Sequence, residues 1–318
     1  MRRRGDKAGH RGNGERMFDS LVIGYLFLGG AGGGALVVLG AFEGARTLGL
    51  RRPELPDELF ARAWPVCAVA LATGIVCIAA DLGRPDRLLG LVASPRPTPL
   101  TVGAYALVAG LLCAAAFSAL ALFDGAASRV PRGVRLALAA ASLAAGGVTA
   151  AYTGVLLQGL ASVLFWQTPL LPAAFVLSSL SCGVAVVFLA AAFVETRRPF
   201  VHLVAWLARI DGVLIAAEAG VLAVYVAWAL AGAGTREAAV ALVAGDLAPA
   251  FLGGVALAGL AVPFAMERLL THNNHHSQLL WIAACVLVGG LALRACFVQA
   301  GLYDVTQMPQ ALFGLSLG

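Results

Sequence analysis

The sequence predicts an all-α polytopic membrane protein with eight transmembrane helices. Three observations carry that reading. Hydrophobic residues make up 60% of the chain and charged residues only 12%, with a mean hydropathy of +0.87, whereas a soluble domain is about a quarter charged. The apolar residues gather into runs of the length a bilayer core demands, about 20 helical residues each. The connecting loops alternate between arginine-rich and arginine-poor, as they do in a protein threaded back and forth across a membrane.

Taken in order, residues 1–16 are basic, Gly-rich and without periodicity, which predicts a disordered tail. The apolar stretch from Phe18 is too long for a signal peptide and lacks a small-residue cleavage site, so it is expected to be retained as a helix. The transmembrane domain, 17–301, is divided into spans at roughly 18–42, 62–81, 100–123, 134–157, 169–194, 208–231, 247–266 and 278–301, and 302–318 is a C-terminal tail. Span one holds Gly29-Gly30-Ala31-Gly32-Gly33-Gly34. This run satisfies small-xxx-small twice, Gly29 to Gly33 and Gly30 to Gly34, and predicts close helix packing in lipid. No Walker lysine follows it, so a phosphate cradle is excluded. The link 81–99 carries Pro85, Pro95, Pro97 and Pro99 and cannot be regular helix throughout. Such a rigid, charged loop suits docking of another subunit, or serves as an ordinary connector.

The loops after spans one, three, five and seven hold Arg46, Arg51, Arg52, Arg62, Arg129, Arg132, Arg135, Arg197, Arg198, Arg209 and Arg268; those after spans two, four and six hold only Arg84, Arg87, Arg96 and Arg236. Arginine-rich loops stay in the cytoplasm, so both termini are expected outside, in the periplasm of a bacterial cytoplasmic (inner) membrane. The basic tail votes the other way, but the loops vote several times.

Several chemistries are excluded. The formal net charge of +5 reads as loop arginines facing anionic lipid, not as a nucleic-acid footprint. Cys67, Cys77, Cys113, Cys182, Cys285 and Cys296 form no Cys-x-x-Cys, so no intrinsic iron–sulfur cluster or c-type haem is expected. His10, His202, His272, His275 and His276 lie in the tail or loops, which leaves no helix-borne imidazole for haem b. The run from Thr271 to His276 has no acidic or cysteine partner, so no metal site is expected either.

Two groups of polar residues remain. Asp211 and Glu218, seven residues apart, share one face of span six, and Arg294 lies in span eight. Charges inside spans need partners; these three form either a possible proton path or a structural ion pair of Glu218 with Arg294. The second group is the stretch 150–172, where a helix bearing Tyr152, Thr153 and Gln158 ends at the membrane surface and Phe165-Trp166 leads to Thr168-Pro169. On its own, Tyr152 is either an interfacial belt tyrosine or one wall of a ligand pocket.

Several pieces together resemble the NrfD/PsrC family, the membrane subunits of polysulfide, nitrite and related reductases. They are Tyr25-Leu26-Phe27-Leu28-Gly29-Gly30, Asp81-Leu82-Gly83-Arg84-Pro85, Pro97-Thr98-Pro99, Tyr152-Thr153-Gly154-Val155-Leu156-Leu157, Phe165-Trp166-Gln167-Thr168-Pro169-Leu170-Leu171-Pro172, Arg209-Ile210-Asp211 with Glu218, and Leu293-Arg294. The resemblance implies two four-helix bundles, about 17–157 and 169–301, without haem. It implies an anchor for an iron–sulfur (ferredoxin-like) subunit, which in turn contacts a molybdopterin catalytic subunit. It also implies a quinone or quinol site (menaquinone or ubiquinone) near that partner, making the protein the quinol dehydrogenase subunit of an oxidoreductase complex. Tyr152 matches the family tyrosine expected to hydrogen-bond a quinone carbonyl. Polar residues that some members carry at the start of span one are here apolar or Gly, with Asp19, Ser20 and Tyr25 nearby.

The chemistry of such a pocket fits the sequence. A quinone needs an apolar slot, a donor at a carbonyl and a route for protons. Tyr152 can donate, and Asp19 or Asp81 can take a proton, with Arg84 close in sequence to hold Asp81 ionised. Tyr25, Ser20, Gln158 and Trp166 are the remaining candidates for the pocket wall. The competing function is a secondary transporter or proton-translocating channel built on Asp211, Glu218 and Arg294. Co-purification of an iron–sulfur subunit separates the two.

Overall fold

The computed structural model describes residues 8–50, 56–81, 99–123, 130–194, 201–269 and 276–312. Helices run over Ala8–Leu48, Asp57–Asp81, Pro99–Leu122, Arg132–Gln158, Leu170–Ala192, Val201–Ala231, Arg236–Ala244, Pro249–Ala261 continued by Val262–Arg268, and His276–Leu312, with a 3₁₀ turn at Leu164–Trp166. There is no strand among the described residues. Eight helices are long and apolar enough to cross a membrane, over Ser20–Leu48, Asp57–Ala80, Thr101–Leu122, Arg132–Gln158, Leu170–Ala192, Leu203–Ala231, Pro249–Arg268 and Ser277–Gly301. The membrane fold read from composition and run length is therefore the fold observed. The link 82–98 and the run 270–275 lie outside the described residues.

The differences from the predicted boundaries have physical causes. The first helix begins at Ala8, inside the stretch 1–16 expected to be a disordered tail, and the last runs on to Leu312 through the expected C-terminal tail. Extending an existing helix by a residue adds one hydrogen bond per residue fixed, whereas nucleating a new one is costly, so helices overrun their apolar cores. Span two starts at Asp57 and not near residue 62; Asp57 and Glu58 occupy its first turn, where the helix dipole favours acidic groups. Arg46 at the end of span one pairs with Asp57 and lies 5.6 Å from the Phe60 ring centroid, which ties the two helix ends together. Span six begins at Val201, several residues before the expected 208. Span seven is a π-helix over Pro249–Ala261, preceded by the short helix Arg236–Ala244 where a plain connector was expected.

Span one is the hub. It packs on spans two, four and five and touches span eight; span three is held between two and four, while span five leads to six and eight, and eight packs on seven. Between lipid-exposed helices there is no hydrophobic driving force, so close van der Waals contact has to hold the bundle. The glycine run supplies it. A Cβ on Gly34 would fall on the Ser179 carbonyl, and one on Gly183 would fall on the Gly34 carbonyl, so spans one and five meet backbone to backbone. Gly33 lies close to the span-four backbone at Gly146 and Ala150. A second small-residue crossing, Gly259 on Gly289, joins spans seven and eight. Aromatic rings fill the wider gaps: Trp64 stacks on Phe117 at 4.5 Å, and Phe165, Tyr225 and Phe297 form a cluster of tilted and edge-on rings with centroids 5.0–5.8 Å apart.

Candidate functional site

Two polar sites form inside the apolar bundle. The first is at the end where spans one, three and five begin and spans two and four finish. Tyr152 sits six residues before the end of span four, and its side chain hydrogen-bonds with Tyr25, five residues into span one. Both rings are buried, at 6% and 8% exposure. The Tyr152 ring lies over Gly103 near the start of span three, where any Cβ would collide with it. Gly154, two residues on, lets span four approach Pro172 at the start of span five. These glycine contacts set the ring's position before any ligand is considered.

The stretch after Tyr152 is pinned as firmly. The Trp166 indole N–H donates to the Phe297 carbonyl at 2.9 Å, and the indole ring rests on Gly301. The Tyr225 hydroxyl donates to the Phe165 carbonyl at 2.5 Å. Thr168 is buried and accepts from the Leu170 N–H at 3.3 Å, shaping the entry to span five. The Phe165-Trp166 pair therefore fastens the loop between spans four and five onto spans six and eight. Gln158, the last residue of its helix, is half-buried, and Ser20 is exposed at the start of span one. Asp19 and Asp81 lie on the first and second helices, but their side chains are outside those described, as is Arg84 altogether.

The second site is deeper and lies among span one and spans five to eight. Arg294, wholly buried, is held without a carboxylate. Its Nε donates to the Leu26 carbonyl at 3.0 Å, one terminal nitrogen to the Gly290 carbonyl at 2.8 Å and to Ser178 Oγ at 3.4 Å, and the other to Ser179 Oγ at 2.9 Å. Phe27 and Phe175 flank the guanidinium at 5.9 and 5.4 Å from its carbon, close enough for cation–π attraction. The direct ion pair of Glu218 with Arg294 considered from sequence does not form; the ion pairs among the described residues are Arg46–Asp57 and Arg135–Glu43. Ser178 stands between the two instead, its Oγ accepting from Arg294 at 3.4 Å and lying on the same cleft as Glu218.

Asp211 is on the same face of span six as Glu218, as the spacing predicts, and it meets Glu267 of span seven. Their side chains are within reach of each other, yet none of the four carboxyl oxygens has a donor at good hydrogen-bonding geometry. Ser181 Oγ lies beside Asp211, buried and likewise without a well-formed hydrogen bond. Between Ser178, Ser181 and Glu218 is a narrow cleft of about 10 Å³, backed by Gly259, Gly289 and Gly290. Two larger cavities, about 580 and 590 Å³, are apolar; one is lined by spans six and seven, the other by spans one, four, five and six at the end of the bundle away from Tyr152. No group of three metal-ligating side chains occurs among the described residues.

Sequence reading found Tyr152, Tyr25, Asp211, Glu218 and Arg294, and the structure brings them into these two sites. It missed Gly103, Ser178, Ser179, Ser181 and Glu267. Three serines inside one apolar run were a usable signal, since hydroxyls inside a span have to find partners. Glu267 was hidden because it stands beside Arg268, one residue beyond the expected end of span seven, and reads as loop.

The family model described as "Polysulphide reductase, NrfD" matches residues 10–306. The C subunit of polysulfide reductase from Wolinella succinogenes is 35% identical over 155 residues, which is 48% of the present protein and 49% of that one. Protein NrfD of Escherichia coli (strain K12) is 33% identical over 153 residues, 48% of each. The alignments thus span about half the length of the curated relatives.

Proposed function

Because this protein belongs to the NrfD family, we propose that it is the quinone-reactive membrane subunit of a multi-subunit oxidoreductase. In that role it anchors an iron–sulfur subunit, which contacts a molybdopterin catalytic subunit, and passes electrons between the quinone pool and that partner. The observation that carries the reading is the buried Tyr25–Tyr152 hydroxyl pair at the mouth of the first bundle. A quinone, when bound, supplies the two-electron, two-proton chemistry that the protein's own side chains lack. Tyr152 is suited to its carbonyl oxygen: the hydroxyl is a donor, the ring is fixed over Gly103, and the surroundings are apolar. Tyr25 orients that hydroxyl by bonding to it. Asp19 and Asp81 are the carboxylates nearest this end in sequence, and take the role of proton acceptors with Arg84 supporting Asp81. Ser20, Gln158 and Trp166 are the remaining candidates for the pocket wall, Trp166 through its bond to the Phe297 carbonyl and not by donating to the ligand.

The loop-arginine count favours the outer face of a bacterial inner membrane for this end, with both termini there as well. Asp81 and Pro99, the two ends of the link between spans two and three, lie at this same end, and that link is the segment offered for docking of the iron–sulfur subunit.

The test is Tyr152→Phe in the assembled complex. The ring stays on Gly103, so assembly is retained. Loss of one hydrogen bond at a reacting oxygen lowers quinol-dependent turnover about 10- to 100-fold. Wild-type turnover with a quinol analogue would remove the tyrosine from the site.

A further inference from the structure

The cavity of about 590 Å³ at the end of the bundle away from Tyr152 is open on one side: Ala41, Ala140 and Leu143 line it and are exposed. It exists because span six packs on span five but not closely on span one or span four. The Phe42 and Trp206 rings, with centroids 5.9 Å apart, reach across that gap. Its lining is apolar, so water gains no partners there.

The length of this groove matches one leaflet. The lining runs from Val37 to Leu48 on span one, from Leu136 to Leu143 on span four and from Trp206 to Leu214 on span six. These stretches are about 16, 10 and 12 Å of helix. A hydrocarbon core about 30 Å thick gives each leaflet about 15 Å of acyl chain. A partner's transmembrane helix would need the whole thickness, whereas an acyl chain needs only this half.

The mouth of the groove is positive. Arg132 opens span four on the same helical face as Leu136, Ala139 and Leu143; it is exposed and in no ion pair among the described residues. The first turn of span four has no acidic residue and no side-chain cap, which leaves backbone N–H groups for an anion. Arg135 gives a terminal nitrogen to Glu43, while its buried Nε has no hydrogen-bond partner. Glu43 and Asp57, carboxylates at this end, are each already held by an arginine. In sequence, Arg51 and Arg52 follow directly on Leu50 of the lining. Basic residues above an apolar slot between transmembrane helices suit an anionic lipid headgroup.

We propose that this groove binds one anionic phospholipid, with an acyl chain lying between spans four and six and the phosphate meeting Arg132 and the first turn of span four. The lipid fills the gap that only the Phe42 and Trp206 rings bridge, and so ties span six to the first bundle at this end. The inference uses none of the residues around Tyr152 and stands apart from the quinone reading.

The experiment is native mass spectrometry of the full-length protein, purified in mild detergent and equilibrated with equimolar phosphatidylglycerol and phosphatidylethanolamine of identical acyl chains. The wild type is expected to retain one phospholipid and to favour phosphatidylglycerol several-fold. Ala140→Trp fills the groove and should lower retention several-fold. Ala219→Trp adds the same bulk in the other large cavity, between spans six and seven, and should leave retention unchanged. Arg132→Gln, at an exposed helix start where the fold tolerates it, should keep the lipid but lower the preference for phosphatidylglycerol several-fold. Any of five results would overturn the proposal: no phospholipid retained by the wild type, equal retention of the two headgroups, full retention in Ala140→Trp, loss in Ala219→Trp instead, or a quinone or second protein chain found in the lipid's place.

Discussion

Replacing Gly34 by Ala adds one methyl group at the place where spans one and five touch. That carbon would overlap the Ser179 carbonyl, and backbone has no rotamer by which to move aside. The helices have to part or tilt, and the neighbouring contacts of Gly33 with span four, and of Gly30 with Ser179 and Arg294, loosen with them. Overpacking of this kind costs about 1–3 kcal/mol. The gain in helix propensity from Gly to Ala, up to ~1 kcal/mol, offsets part of it. The expected net loss is thus about 1–2 kcal/mol. Gly147→Ala is the matched control: it lies in span four with nothing within 4 Å of the added carbon, and it should be neutral or gain up to ~1 kcal/mol. Unfolding midpoints of the two variants in a detergent–denaturant titration should differ, with Gly34→Ala below wild type and Gly147→Ala at or above it. Equal midpoints, or a larger loss for Gly147→Ala, would refute backbone-to-backbone packing as what holds span one.

Arg294→Met removes a guanidinium that satisfies two carbonyls and two serines; it should lower stability by about 2–4 kcal/mol, read in the same titration. Arg294→Lys should recover only part of that, because an ammonium cannot span acceptors spread over spans one, five and eight. Trp166→Phe loses the bond to the Phe297 carbonyl and should cost about 1 kcal/mol. It should raise amide exchange of the loop between spans four and five while leaving the other spans protected; unchanged exchange in that loop would show that the indole does not pin it.

A bilayer dictates some features locally, and those are legible in the residues alone. Apolar run length sets the number of spans, because each span must satisfy its own backbone in lipid. Loop arginines give an orientation, and the glycine spacing of span one announces close contact. The family motifs singled out Tyr152, and helical spacing placed Asp211 and Glu218 on one face. Everything that depends on which span neighbours which had to wait for the packed bundle. It made span five the partner of Gly34, set Gly103 beneath Tyr152 and put Tyr25 beside it. It gave Arg294 carbonyl and serine partners in place of the expected carboxylate, and it brought Glu267 from the end of span seven to Asp211. The π-helical stretch of span seven was equally invisible, since a run of Ala, Gly, Leu and Val reads the same in either helix. The physical reason is common to all of these. In lipid, apolar side chains do not distinguish a neighbouring helix from an acyl tail, so periodicity cannot name partners; the few polar groups and the shapes of the glycines do, and those act only once the helices have met.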